Sequence, residues 1–234
     1  MSGALLLLPG MMCDERLFAP QIDALGVRRD IVIPNFGDAD SMAGIGAHIL
    51  AHAPAEFALG GVSMGGILAM EIMRQAPDRV SHLALIDTNP FAEVDAVRHR
   101  RGPQMDTVRQ GGLETIMRDE MKPAYFTHLE DSRAPRDLCL AMALSVGPQA
   151  FLRQSRALRD RPDYSETLRR VTCPALILCG RHDSLCPVDR HEAMKAMMPH
   201  ARLHIVEGAG HLPTIEAPDE VNLALHDLLE DKHG

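Results

Sequence analysis

The residues best suited to do chemistry are a serine, an aspartate and a histidine set far apart in the chain. Ser63 stands in Gly61-Val62-Ser63-Met64-Gly65, directly after the apolar run Phe57–Gly61 and before a helical pattern. G-x-S-x-G between a strand and a helix is the signature of a nucleophile elbow. So tight a turn calls for glycine on both sides, because side chains at Gly61 and Gly65 would collide with neighbouring backbone. The serine would then sit at a helix N-terminus, where free N–H groups meet a developing oxyanion.

A serine nucleophile needs a base, and the base needs an acid that holds its tautomer. The base expected is His211, in Glu207-Gly208-Ala209-Gly210-His211-Leu212-Pro213, a Gly-rich loop after the run Leu203–Val206. The acid expected is Asp183, in Gly180-Arg181-His182-Asp183 after the run Ala175–Cys179. Asp87, at the end of the preceding run, competes with it, whereas His182 reads as a surface residue. Two oxyanion donors are expected. One is the N–H of Met64; the other is the N–H of Met11, in the loop Pro9-Gly10-Met11-Met12, where Gly10 would let the backbone approach closely.

These groups meet if the segments carrying them form one parallel sheet. The expected strands are Ala4–Leu8, Asp30–Pro34, Phe57–Gly61, Leu83–Asp87, Ala175–Cys179 and Leu203–Val206, each bounded by Gly, Pro, Asp or Asn. Helical patterns lie between them: Ser41 to Ala53 with a Ser cap, Gly65 to Gln75, Val188 to Met198 and Pro218 to Glu230. Alternation of this kind predicts an α/β fold with helices on both faces of the sheet. From Phe91 to Arg170 no strand pattern appears. That interval reads as short helices broken at Pro103, Gly111-Gly112, Pro123, Pro135, Pro148 and Pro162. It carries a net charge of +2, against −10 for the remainder. The expected division is therefore a core of residues 1–90 and 171–234 and an inserted helical lid of residues 91–170.

Composition narrows the function. The 234 residues carry a net charge of −8, with no Trp, 2 Tyr and 6 Phe, which disfavours a nucleic-acid partner. No apolar run is long enough for a membrane span, and the short run Ala4–Leu8 lacks the basic start of a secretory signal. Five cysteines, odd in number and without CxxC spacing, fit a reducing cytoplasm better than disulfides or zinc. His48 and His52 share one helix face but have no Glu and third ligand beside them. The one glycine cluster lacks a Walker lysine, so no metal or dinucleotide cofactor is expected.

Taken together, Leu8-Pro9-Gly10-Met11, Gly61-Val62-Ser63-Met64-Gly65-Gly66, Leu85-Ile86-Asp87-Thr88, Pro174 through Asp183, and Gly208 to Pro213 with Glu216-Ala217-Pro218 carry a family likeness. The chain resembles the α/β-hydrolase superfamily, in particular its small single-chain esterases, lactonases and C–C hydrolases, over nearly its whole length. The resemblance implies an α/β-hydrolase fold and a cofactor-free enzyme that works through an acyl-serine on a small-molecule ester or lactone. The alternatives are an enol-lactone or C–C bond hydrolase of aromatic catabolism, or a ligand-binding module on the same fold with little turnover. The family commonly has His-Gly where Pro9-Gly10 stands here. Its antiparallel N-terminal hairpin is expected to be missing, leaving about six, mostly parallel strands. An edge of so small a sheet calls for a covering helix or a partner; nothing in the sequence sets the oligomeric state.

Two residue classes bear on the substrate. Met11, Met12 and Met64 flank the expected oxyanion site, and Met105, Met117, Met121 and Met142 lie in the insertion. Flexible, polarizable Met suits an adaptable acyl pocket, and ordinary core filling explains the inserted ones as well. Of the insertion's 13 Arg, those at Arg98, Arg100 and Arg101 read most simply as a solvated helix face; one turned inward would hold a substrate carboxylate.

Overall fold

A computed structural model describes residues 3–121, 125–126 and 133–230. Six strands form one sheet: β1 (Ala4–Leu8), β2 (Ile31–Val32), β3 (Phe57–Val62), β4 (Val80–Ile86), β5 (Ala175–Gly180) and β6 (Arg202–Val206). Their order is β2-β1-β3-β4-β5-β6, and every neighbouring pair is parallel. All carboxyl ends therefore share one edge. The order reverses direction between β1 and β3, the switch point where open α/β sheets leave a crevice for ligands.

Strand β1 shows why the sheet is covered on both sides. Leu6 and Leu8 join one apolar cluster and Leu5 and Leu7 the other, because successive side chains point to opposite faces. On the first face lie α2 (Met42–His52), α3 (Met64–Gln75) and α9 (Val188–Met197), through residues such as Ile45, Leu68 and Met194. On the second lie α1 (Ala19–Leu25) and α10 (Pro218–Glu230), through Leu25, Val221 and Leu225. The Ser41 hydroxyl accepts the Gly44 N–H at 3.2 Å and so caps α2.

Some boundaries differ from the sequence expectation. Strand β2 is two residues long rather than five, and so short an edge strand is a poor template for further pairing. Strand β4 starts three residues earlier, at Val80. Helix α1 has no counterpart among the expected elements; seven residues with a Pro at the start carry too little periodicity to announce a helix.

Between β4 and β5 run α4 (Asp95–Arg109), α5 (Leu113–Thr115), a π-helical turn (Ile116–Met121), α6 (Arg133–Val146), α7 (Pro148–Arg159) and α8 (Ser165–Leu168). The break expected at Pro103 does not occur. Helix α4 runs through it, with Pro103 on an exposed face while Met105 and Val108 are buried and the helix packs on α7. Burial outweighs the one backbone hydrogen bond that proline removes. Pro135 likewise lies inside α6, two residues from its first described residue. The breaks at Gly111-Gly112 and Pro162 fall between helices, and Pro148 opens α7. Pro123 lies outside the described residues.

This segment is tied to α3 by a buried polar contact. The Tyr164 hydroxyl donates to Glu71 Oε2 at 3.0 Å, and both side chains are inaccessible to solvent. Glu71 also pairs with Arg74 at 2.6 Å and accepts from Gln75. The backbone N–H of Tyr164 donates to the Pro90 carbonyl at 2.8 Å. Losing the hydroxyl leaves the carboxylate with fewer donors in a dry site, so Tyr164→Phe lowers the unfolding free energy by about 1–2 kcal/mol, read from urea midpoints.

Candidate active site

Register fixes the relative height of the loops. Leu8 of β1 pairs with Gly61 of β3, so the Pro9-Gly10 turn and the Ser63 turn leave the sheet side by side. Ser63 adopts φ 55 and ψ −116, a left-handed conformation that costs a non-glycine residue about 1–3 kcal/mol. The surroundings hold it there. Its N–H donates to the Ile86 carbonyl at 3.0 Å, and its carbonyl accepts the Thr88 hydroxyl at 2.8 Å. A Cβ at Gly61 would strike the carbonyl of Gly65, and one at Gly65 would strike that of Leu8. Gly10 differs from the sequence expectation. A Cβ there would meet Ser63 Cβ and the Val62 carbonyl at 3.6 Å, an ordinary contact, so crowding does not demand glycine at that position.

Three side chains from three loops form one hydrogen-bonded chain. His211 Nε2 lies 3.0 Å from Ser63 Oγ, and His211 Nδ1 lies 2.8 Å from Asp183 Oδ2. Asp183 Oδ1 accepts the N–H groups of Leu185 and Cys186 at 2.8 and 3.0 Å. His211 is itself held by its backbone, which donates to the Tyr125 carbonyl at 3.0 Å, and by its flanks, since Gly210 and Leu212 donate to Glu216 Oε2. In the sequence Glu216 stands only as part of a motif, and nothing local marks it as the staple of the histidine loop. His182 is exposed.

Asp87 does not touch His211. Its Oδ1 accepts the Gly180 N–H at 2.9 Å, beneath Asp183. Burial, and then the Asp183 charge, push the Asp87 carboxyl well above the usual range, which favours its neutral form. Burial works to raise Asp183 as well, but the His211 ring and hydrogen bonds from His211, Asp87 and Cys186 outweigh it and hold Asp183 at about 2. The surroundings thus push the two carboxyl groups in opposite directions.

The N–H groups of Met11 and Met64 have no acceptor among the described residues. Met64 opens α3, where first-turn N–H groups lack intrahelical partners. The turn carrying Met11 is braced from α7: the N–H of Met12, which has φ 58, donates to Gln154 Oε1 at 2.8 Å. Nothing in the sequence near residue 154 signals this contact.

A cavity of about 290 Å³ opens onto Ser63 and His211. Met11, Met64 and Met121 line it, whereas Met12, Met105, Met117 and Met142 are buried in the apolar clusters and do not. Arg100 and Arg101 line it too, joined by Arg161, while Arg98 faces solvent toward Asp160. Among the described residues, Asp183, Cys186 and His211 are the one cluster of metal-type ligands, with donor atoms within 4.8 Å of one another. Burial first, and then the Asp183 charge, push the Cys186 thiol well up, which makes it a poor ligand at neutral pH. Among the described residues no helix is long and apolar enough to cross a membrane.

Behind the acids, His191 is fully buried and accepts the Thr88 N–H at Nε2, 3.1 Å away. Burial lowers its pKa from 6.5 to about 4. Between pH 6.5 and 4 the unfolded chain therefore binds a proton that the folded chain refuses, and stability falls as pH drops through that window. Asp87 acts with the opposite sign, since a raised acid favours the folded state at low pH. Comparing wild type with His191→Gln isolates the histidine: the loss between pH 7 and 4.5, read from urea midpoints, is smaller in the variant by about 2–3 kcal/mol.

Comparisons with known proteins agree with this architecture. Residues 5–224 match the sequence profile of the "Alpha/beta hydrolase family". A pimeloyl-[acyl-carrier protein] methyl ester esterase of Aliivibrio salmonicida is 30% identical over 212 residues, 82% of this chain and 75% of that one. A thermophilic esterase of Thermogutta terrifontis, solved with malate bound, superposes with a TM-score of 0.87 at 26% identity, covering 99% of this chain and 90% of that one. The enol-lactonase of Burkholderia xenovorans LB400 shares the fold at a TM-score of 0.88 and 18% identity, covering 99% and 92%. Sequence profile, relatives and fold agree: the chain belongs to the alpha/beta hydrolase family.

Proposed function

We propose that this protein is a serine hydrolase that cleaves a carboxylic ester or lactone of a small molecule through an acyl-enzyme on Ser63. The observation that carries the reading is the unbroken hydrogen-bonded chain from Ser63 through His211 to Asp183. Names of relatives support it, since the profile match, the Aliivibrio esterase and the Thermogutta esterase all belong to hydrolases.

The roles follow from the geometry. His211 Nε2 takes the Ser63 proton as Oγ attacks the carbonyl carbon. Asp183, ionised down to about pH 2, keeps the other ring proton on Nδ1 and stabilises the imidazolium. The N–H groups of Met11 and Met64 receive the oxyanion. His211 then protonates the leaving oxygen, and the same ring draws a proton from the water that releases the acid. Asp87 serves as a buried support that holds the Gly180 N–H, not as the acid of the triad. Residues 91–170 act as the cap over a core of residues 1–90 and 171–234; cap residues such as Val97, Arg101 and Leu158 wall the cavity that opens onto Ser63.

A fluorophosphonate probe is expected to label wild type and not Ser63→Ala. With p-nitrophenyl butyrate, Ser63→Ala and His211→Ala lower kcat/KM by about 10⁴-fold or more. Asp183→Asn is far more damaging than Asp87→Asn. An active His211→Ala, or the reverse order of the two aspartates, would sink the assignment.

A further inference from the structure

Among the described residues, the cavity wall carries one cation more than its anions neutralise. Arg101 and Arg161 both point at a single oxygen, Glu93 Oε2, at 2.6 and 3.1 Å. All three side chains are nearly buried, with exposures of 11% for Arg101, 5% for Arg161 and 7% for Glu93. Nearer the mouth, the exposed Arg100 is offset by the exposed Glu120, which accepts from Gln104 Nε2 at 2.8 Å. Among the described residues, the charged side chains lining the cavity therefore sum to one positive charge beside a serine and a histidine. One arginine would suffice to neutralise Glu93, and burying a second without a counter-ion is costly. Burial, the largest influence, pulls the Arg161 guanidinium below its ordinary pKa despite the nearby Glu93.

The guanidinium forks are also only partly used. Arg161 donates through Nε to the Phe91 carbonyl at 2.9 Å and pairs with Glu93 through Nη1. Its Nη2 has no acceptor among the described residues, and the side chain lines the cavity. Arg101 donates to Glu93 through Nε and Nη2, and its Nη1 reaches only the weak acceptor Met11 Sδ, at 3.8 Å. That contact puts the cationic wall one side chain away from the Met11 backbone, the intended oxyanion donor.

We propose that Arg161 and Arg101 form a carboxylate subsite, so that the preferred substrate is an ester or lactone that bears a second, free carboxylate. This rests on the ester-hydrolase reading above. The carboxylate is a spectator: it docks on the spare guanidinium N–H groups, neutralises the excess charge and places the scissile carbonyl at Ser63. A planar fork suits a carboxylate better than an ammonium would. A monoanion matches the single uncompensated charge.

The test compares charged and neutral partners of equal reach, in two arms. Monomethyl adipate against dimethyl adipate places the carboxylate on the acyl side. 4-Acetoxybutyrate against its methyl ester places it on the alcohol side. In one arm, wild type is expected to favour the charged ester in kcat/KM by about tenfold or more. Arg161→Met lowers that preference by about tenfold, mainly through KM, and Arg161→Lys retains part of it. Arg101→Met, with Glu93 still paired to Arg161, is the second variant if Arg161→Met melts early. A wild-type preference near one in both arms, or a preference unmoved by the variants, overturns the subsite. If no ester is turned over, the hydrolase reading fails, and calorimetry with adipate still decides the subsite. Binding to wild type and to Ser63→Ala that is lost in Arg161→Met supports it, and absence of binding to wild type overturns it.

Discussion

Everything at this site depends on one strained residue. Ser63 holds a left-handed backbone that neither its own side chain nor the helix after it favours. The strain persists because the adjacent strands leave no alternative: Gly61 and Gly65 pass so close to neighbouring carbonyls that the turn has a single path. Hydrogen bonds to Ile86 and from Thr88 close it from the β4 side. Met12 and Asp87, at φ 58 and φ 41, are the other non-glycine residues with positive φ among the described residues. They follow β1 and β4, the two strands that flank β3. Strain is thus gathered where the proposed chemistry needs groups aimed off the sheet edge, and a rigid parallel sheet supplies the counterweight.

Electrostatics are arranged in the same layered way. Near His211 lie two carboxyl groups that act on each other, and their surroundings shift them in opposite directions. Asp183 collects two backbone N–H groups and the imidazole, whereas Asp87 receives one N–H in a dry site. Burial therefore favours the proton on Asp87, and the hydrogen bonds around Asp183 favour its charge next to the histidine. His191, kept neutral by burial, adds no competing positive charge. On the cavity side the logic is reversed. Glu93 is shared by two guanidiniums and leaves a positive excess facing the space where a substrate would lie.

The segment between β4 and β5 reaches several of the loops at the sheet edge. Gln154 braces the Met12 turn, the Tyr125 carbonyl receives the His211 N–H, and Tyr164 grips Glu71 on the helix that follows Ser63. Each of the loops that carries a proposed catalytic or oxyanion group is thereby touched from this segment or from the strand beside it. Its placement couples the substrate cavity to the backbone geometry at the sheet edge.

The sequence by itself determined the chemical inventory and its order. Serine, aspartate and histidine each follow an apolar run, and glycines stand where a tight turn requires them, so the parallel sheet, the elbow and the family were legible in local pattern. Even the competition between Asp87 and Asp183 was legible, because both end strands that lie side by side. What the sequence left open was decided by long-range packing. Periodicity said nothing of Gln154, Glu216 or Tyr164, whose partners lie on other elements. Pro103 reads as a break, but the burial of Met105 and Val108 overrides it. Which methionines line the cavity, and whether an arginine turns inward or outward, depend on helix rotation within the fold. Arg98 and Arg101 are one turn apart on α4, yet one faces solvent and the other faces Glu93. Local sequence specifies which groups exist and what backbone they demand; only the packed structure sets which of them share a dry space, and therefore which charges are compensated.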